Sequence, residues 1–271
     1  DRADVLVLDH HRIDRAPPAA RAHVNPTLDP AGGLQHLCAA GLAFLAAVAT
    51  NRALREADWP RVLDAGALLS LVDLVALATV ADVVPLVGVN RAFVVQGLAL
   101  MAARPCAGIA ALLRVAGVTR PPDAETLGFA LAPRLNAAGR IGDANLSVRM
   151  LLTDDAAEAA SLAQRLDTLN RERQRIEGSV LEAALIEAER QVREGRPVIV
   201  VAGEGWHAGV VGIVAGRVKE RYARPAFVLA VERGMATGSG RSVAGLHLGD
   251  AVRDAVSTGI AVKAGGHAMA A

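Results

Sequence analysis

Residues 3–8 form an apolar run broken only by Asp4, and the run stops at Asp9-His10-His11. An aliphatic, β-branched run of this length predicts a buried parallel strand that delivers its last side chains to the C-terminal edge of a sheet. Pro17-Pro18, and the stretch from Asn25-Pro26 through Gly32-Gly33, predict extended loop. Helical spacing then begins near Leu34 and runs to about Glu56, with Leu37, Leu42, Leu45 and Val48 as core candidates. Asp58 is placed to cap a following helix with Pro60 in its first turn, and the apolar stretch 62–80 covers more than one helical face, as a buried helix does. Residues 91–103 and 108–116 read as short helices separated at Arg104-Pro105, and 126–131 as another that Pro133 ends before a loop, 134–142.

Residues 154–193 contain no proline and one glycine, Gly178, while Leu162, Leu166, Leu169, Ile176, Val180, Leu181, Leu185 and Ile186 keep helical spacing. That pattern predicts a helix, or two end to end, of about 40 residues and roughly 60 Å, long enough to bridge two domains. Its Arg171-Glu172-Arg173-Gln174-Arg175 run reads as a solvated face, or as a DNA-backbone contact if it lines a cleft. Beyond it, 197–202 and 226–231 predict strands, 210–222 and 249–256 helices, and 203–209 a loop. Gly209, Gly212 and Gly216 share one helical face and permit close approach to a sheet, while the glycine loop ahead of that helix offers N–H groups to an anion.

Composition narrows the class. With 271 residues, 52% hydrophobic and 21% charged, the chain is globular and sized for about two domains. It has no uncharged apolar span of about 18 residues and no signal-peptide pattern, so a cytoplasmic protein without a membrane partner is expected. Cys38 and Cys106 both lie in apolar surroundings and are expected to be reduced core thiols. The net charge of +1 does not announce a nucleic-acid binder, so any such binding must come from local placement. Among 29 basic residues only Lys219 and Lys263 are lysines. Guanidinium groups suit bidentate phosphate contact, although the base composition of a genome produces the same bias.

Two imidazoles and a carboxylate in one short turn, Asp9, His10 and His11, suit a divalent metal beside a phosphate; a strand end that is merely polar fits them too. Asp82 stands alone in the apolar run 74–86 and is expected to be buried, which requires a metal, a cation or strong hydrogen bonds. Arg134, Asn136 and Arg140 in a glycine-containing loop offer fixed donors for a phosphodiester, or for an interdomain ion-pair network.

Asp9-His10-His11 followed by Ala78-Thr79-Val80-Ala81-Asp82-Val83-Val84-Pro85-Leu86 resembles the third and fourth motifs of the DHH phosphoesterase superfamily, specifically of its single-strand-specific 5′→3′ exonucleases. Val24-Asn25-Pro26, the run 37–44, and Ala132-Pro133-Arg134-Leu135-Asn136-Ala137-Ala138-Gly139-Arg140 are similar to segments between and after those motifs. His207-Ala208-Gly209-Val210-Val211-Gly212, Ser239-Gly240-Arg241-Ser242 and Gly265-Gly266-His267 resemble the second domain of such enzymes, DHHA1. The fold implied is α/β: an incomplete DHH domain with a parallel sheet (1–150), a long connecting helix (151–194) and a second, smaller α/β DHHA1 domain (195–271).

The resemblance implies a metal-dependent exonuclease hydrolysing phosphodiester bonds of single-stranded DNA in repair and recombination. It implies a two-metal Mn²⁺ or Mg²⁺ site with His10 and Asp82 as ligands, Asp9 supporting them and His11 on the phosphate, completed by aspartates that this chain does not contain. DNA contacts fall to Arg134, Asn136, Arg140, His207, Ser239, Arg241, Gly265, Gly266 and His267. A single-strand-binding protein and a helicase are the implied protein partners, around a monomer. The chain is expected to be an internal fragment, ending before a nucleic-acid-binding OB domain, and to be weak or inactive alone. Two other readings stay open: a DHH-family phosphatase or oligonucleotidase on small nucleotides, and a non-catalytic single-strand-binding relative.

Overall fold

The structure, a computed structural model, describes residues 3–11, 13 and 16–271. It divides into two compact units, one of residues up to Asn136 with Asn145–Asp167, the other of Ala137–Ala144 with Thr168–Ala271.

In the first unit β1 (Leu6–Leu8) pairs in parallel with β2 (Ala22–Val24), Leu6 opposite Ala22 and Leu8 opposite Val24. The strand is parallel as its sequence predicts, but it is not buried: Leu6 is 66% exposed, and Val5, Leu8 and Val24 are exposed with it. An apolar run specifies a strand, whereas burial needs a facing layer; β2 is the single strand partner of β1 among the described residues. Two 3₁₀ turns follow, Pro26–Leu28 and Pro30–Gly32.

Helix α1 (Ala39–Glu56) starts later than its hydrophobic spacing suggests, because the Cys38 sulfur accepts the Gly41 N–H and caps it there. Leu37 and Leu42 are core residues, but Val48, roughly 120° round the helix from Leu42, is exposed. The next stretch is irregular rather than helical. Asp58 takes a left-handed φ of 49° and caps nothing; the cap is Asp64, whose Oδ1 accepts the Ala67 N–H at 2.7 Å. The expected single helix over 62–80 is thus two, α2 (Ala65–Leu69) and α3 (Val72–Ala81), broken where the Ser70 hydroxyl donates to the Ala67 carbonyl.

Helix α4 (Gly88–Ala103) lies against α3 at Gly97, where a Cβ would stand 2.6 Å from the Val72 carbonyl oxygen and collide with the Ala76 methyl. Gly97→Ala gains about 1 kcal/mol of helix propensity but loses about 1–3 kcal/mol to overpacking against backbone that cannot move aside. A lower urea midpoint is the expected net result, and a raised midpoint would refute the close approach.

Helix α5 (Ala107–Val115) begins beside Asp73, which is 1% exposed at the start of α3. Asp73 accepts the Leu74 N–H at 2.7 Å and the Cys106 N–H at 3.3 Å, yet burial pushes its carboxyl above the usual carboxylate range. Because the folded state holds this proton more tightly than the unfolded chain, its contribution is best below the ordinary carboxylate pKa and is lost as pH rises through the raised value. Asp73→Asn removes that loss. Comparing urea midpoints at about pH 4 and about pH 7, the variant gains on the parent toward neutrality; a constant difference would contradict the assignment.

Residues Thr126–Leu131 form a π turn that runs directly into α6 (Ala132–Ile141), then α7 (Asn145–Leu152). The loop expected over 134–142 is therefore helix. Pro133 does not end the helix: it follows the π turn without a break, and that wider turn, which bonds the Ala132 N–H to the Leu127 carbonyl, accommodates the missing N–H. The long helix, α8 (Ala156–Arg193), has 38 residues.

The second unit is a three-stranded sheet in the order β3 (Ile199–Glu204), β4 (Ala226–Glu232), β5 (Met235–Arg241). Strands β3 and β4 are parallel, so a crossover is required, and α9 (Ala208–Tyr222) supplies it; α10 (Leu248–Ser257) follows the sheet. Strands β4 and β5 form a hairpin whose two loop residues, Arg233 and Gly234, have φ of 50° and 77°, as a type I′ turn demands. Val180, Ala184 and Ala188 of α8, Ile199 and Val201 of β3, Val210, Val214 and Val218 of α9, and Val228 of β4 form one buried cluster. The chain returns at Ala270 to pair antiparallel with Arg241, Gly240 and Ala271 exchanging hydrogen bonds of 2.7 and 3.1 Å.

The expected solvated run on α8 is not wholly solvated: Arg173 is 8% exposed, paired with the buried Glu177. A charge run shows where charges lie along a helix, and only tertiary packing decides which turns inward. Among the described residues no single helix is long and apolar enough to cross a membrane.

Candidate functional site

The candidate residues fall into two groups, one in each unit. In the first, β1 ends and Asp9-His10-His11 turn sharply: Asp9 Oδ1 accepts the backbone N–H of His10 at 2.8 Å and of His11 at 3.2 Å, and the His11 ring Nδ1 at 2.7 Å. The His11 imidazole, with these N–H groups, holds the Asp9 carboxyl below the usual carboxylate range, so Asp9 is an anion that fixes the turn. Asn25, almost fully buried, braces it from β2's end, donating from Nδ2 to the His11 carbonyl at 2.8 Å while its Oδ1 accepts the Thr27 N–H at 2.9 Å. In the sequence Asn25 stands out only as part of a resembling segment. A polar residue just before proline is its one visible signal.

The His10 and His11 rings lie 4.4 Å apart, and His10 Nδ1 stands 3.7 Å from Asp82 Oδ2. Asp82 is not buried as its apolar surroundings suggest: its side chain is 43% exposed, because it is the C-terminal cap residue of α3 rather than an interior one. The buried carboxylate of this segment is Asp73. A carboxylate at a helix C-terminus faces the unfavourable end of the helix dipole, and the next residue, Val83, holds a left-handed φ of 58° that a β-branched side chain rarely tolerates. Neither feature helps the fold. Both leave Asp82 Oδ2 beside His10.

One imidazole nitrogen and one carboxylate oxygen, half open to solvent, form a donor pair of the kind Mn²⁺ or Mg²⁺ accepts. The donor chemistry fits as part of a coordination shell. No group of three or more His, Cys, Asp or Glu side chains able to hold a metal occurs among the described residues.

Arg134 is committed within the first unit: Nε donates to Asp167 Oδ1 at 2.9 Å and Nη1 to the Ala130 carbonyl at 2.7 Å. Asn136, two residues on along α6, is exposed.

The second group belongs to the second unit and centres on α9. His207, an exposed residue, caps the helix, its Nδ1 accepting the Gly209 N–H at 3.0 Å. A Cβ on Gly209 would collide with the Arg140 carbonyl, and Arg140 Nη1 donates to the Gly209 carbonyl at 3.2 Å. One turn on, a Cβ on Gly212 would lie 3.0 Å from Arg241 Nη2 and 3.3 Å from Ser239 Oγ. The two glycines are thus what lets Arg140, Arg241 and Ser239 lie against the same helix. Gly216 makes no such approach.

Arg241 Nη1 donates to Ser239 Oγ at 2.6 Å and to the Gly240 carbonyl at 2.8 Å, and Ser239 donates to the Ala271 carbonyl at 2.9 Å. Partial burial and the charge of Arg140 hold the Arg241 guanidinium below its ordinary pKa; partial burial and Arg173 do the same to Arg140, against the pull of Glu177. Mutually repelling guanidinium groups beside a hydroxyl make a place where an anion is favoured. Gly265-Gly266-His267 form the turn before the returning strand: the His267 carbonyl accepts the Gly249 N–H at 3.0 Å, its N–H donates to the Ala270 carbonyl at 2.7 Å, and Gly266 has no room for a Cβ beside Ala270 and Ala271.

Residues 195–271 match the DHHA1 domain family. The chain is 46% identical to the single-stranded-DNA-specific exonuclease RecJ of Dickeya dadantii over 98% of its own length and 48% of that protein's. Its structure matches RecJ of Thermus thermophilus in complex with Mn²⁺ with a TM-score of 0.84, at 37% identity, over 98% of this chain and 38% of that one. The complex with Mg²⁺ matches at 0.80 and 36%, over 98% and 38%. The chain therefore spans about half the length of the curated relative it matches.

Proposed function

We propose, from the premise that the chain is a homologue of RecJ over nearly all of its own length, that it carries part of a metal-dependent 5′→3′ exonuclease acting on single-stranded DNA in repair and recombination. The observation that carries the metal dependence is the approach of His10 to Asp82 at 3.7 Å, from segments far apart in sequence. In this reading residues 1–150 are the later part of a DHH domain, 151–194 the connecting helix and 195–271 the DHHA1 domain, and the enzyme works in the cytoplasm as a monomer with a single-strand-binding protein and a helicase.

His10 and Asp82 would hold Mn²⁺ or Mg²⁺, with further carboxylates completing the shell. Bound there, the ion would acidify a water and neutralise charge developing on the scissile phosphate. Asp9 keeps the turn rigid through His11 and two N–H groups, so that the His10 donor needs no reordering. His11 is placed for a phosphate oxygen. Arg140, Ser239, Arg241 and the exposed His207 bind and orient the strand's phosphates, with Gly265, Gly266 and His267 forming the adjoining backbone turn. Arg134 and Asn136 act through α6, Arg134 by anchoring that helix to Asp167.

The test is release of nucleotides from end-labelled DNA by the natural gene product with Mn²⁺. Digestion of single strands from the 5′ end, none of duplex and none with EDTA, is expected. Digestion from the 3′ end, or preference for dinucleotides over long strands, would overturn the reading in favour of another DHH activity.

A further inference from the structure

Entirely within the second unit lies a cavity of about 530 Å³ lined by Trp206, His207, Glu232, Arg233, Met235 and Thr237, among others. That volume is in the range of about 300–1,000 Å³ typical of small-molecule sites. Trp206 packs against the core cluster, and its indole crosses β3 at Gly203, where a Cβ would collide with the ring. The glycine therefore fixes the ring against backbone. The charges at the mouth cancel: Glu232 and Arg233 stand 3.8 Å apart, both almost fully solvated. A rigid aromatic wall, a thioether and a neutral rim suit a flat uncharged group and give a phosphate no advantage.

The cavity is also in register with the cluster. Met235, Thr237, Ser239 and Arg241 are alternate residues of β5 and point to one face, the face on which Gly212 of α9 meets Ser239 and Arg241. Alternate residues are roughly 6.8 Å apart, so about 14 Å separates Thr237 from Arg241. A few nucleotides of extended strand cover that distance, and His207 of the cavity lining caps the same helix whose Gly212 meets Ser239 and Arg241.

We infer that this cavity receives an unstacked nucleobase of the strand whose phosphate lies at Ser239 and Arg241, the base stacking on Trp206. The inference rests on the single-strand reading above and adds a base subsite to it. Trp206 is one of two tryptophans, and the other, Trp59, is exposed in the first unit, so Trp59→Phe makes Trp206 the sole reporter. The probes are a 5′-phosphorylated oligodeoxynucleotide and versions with one abasic position walked along its first nucleotides, titrated without Mn²⁺.

Quenching of Trp206 by the intact strand, abolished when one particular position is abasic and accompanied there by a roughly 10-fold weaker binding, is expected. Trp206→Phe should keep most of the affinity and Trp206→Ala lose it. Because the abasic series leaves the protein untouched, unfolding of Trp206→Ala would not blunt the test. If the intact strand binds but no abasic position matters and the fluorescence is unchanged, the base subsite is wrong and the single-strand reading survives. If no strand binds at all, both fall.

Discussion

Glu177→Ala is expected to destabilise the second unit by about 3–5 kcal/mol. Glu177 is 2% exposed, and its two oxygens face two guanidinium groups, Arg173 Nη1 at 2.5 Å and Arg217 Nη2 at 2.7 Å. Arg173 is itself buried, with Nε and Nη2 both donating to Asn170 Oδ1 at 3.2 and 3.0 Å, so it cannot turn out to water when Glu177 is cut back. Removing one partner of a buried pair costs about 3–5 kcal/mol, much of a typical domain's total of about 5–15 kcal/mol. The neighbouring charge of Arg140 adds to the strain on an uncompensated Arg173. Arg217, more than half exposed, is a different case, and Arg217→Ala should cost under about 1 kcal/mol. Replacing Arg173 and Glu177 together by methionine and leucine restores most of the loss, since a well-packed apolar pair often matches a buried ion pair. Thermal melts of these variants check this order; equal melting of Glu177→Ala and Arg217→Ala would refute it.

In the natural gene product, His10→Ala and Asp82→Ala are each expected to lower the proposed Mn²⁺-dependent nuclease turnover by at least about 100-fold, since losing even an outer-shell partner of a metal ligand costs about 10–100-fold. Stability should move the other way for Asp82. It sits where the helix dipole disfavours an anion, and its side chain is only half buried, so Asp82→Ala leaves the fold as stable or slightly more so. Calorimetric titration with Mn²⁺ separates the cases: both variants lose metal binding while their circular dichroism stays that of the parent. Retained turnover in both would make the His10 and Asp82 contact a structural one.

The second unit is largely legible in its sequence. Glycines and prolines punctuate it, and β3, α9 and β4 carry the periods of their elements, so the expected and observed spans agree within a few residues. The first unit is less so, for reasons that lie in packing. Asp82 and Asp73 occupy the same apolar stretch, and only the approach of α5 to the start of α3 decides that Asp73 is the buried one. In the second unit, too, the period of α8 predicts a long helix but not that Arg173 within its charged run turns inward to Glu177. Pro133 reads as a stop because a π turn that accommodates it leaves no mark in a single sequence. For the candidate site the residue types are visible and the supports are not. Nothing in the order of residues says that Asn25 holds the His11 carbonyl, or that Gly209 and Gly212 are where two arginines meet one helix.

The β4–β5 hairpin bears on how the second unit reaches its fold. Its two-residue turn already has the twist that the strands need, and its contacts are close in sequence, so it can close in about 1–10 μs. The parallel pairing of β3 with β4 must wait for α9 to form and dock. Ser239 and Arg241 ride on the strand that closes early, whereas Arg140 enters from a segment far upstream. A refolding chain is therefore expected to bring the serine and one arginine of the cluster together before Arg140 joins them, which stopped-flow refolding of the parent and an Arg140→Ala variant would check.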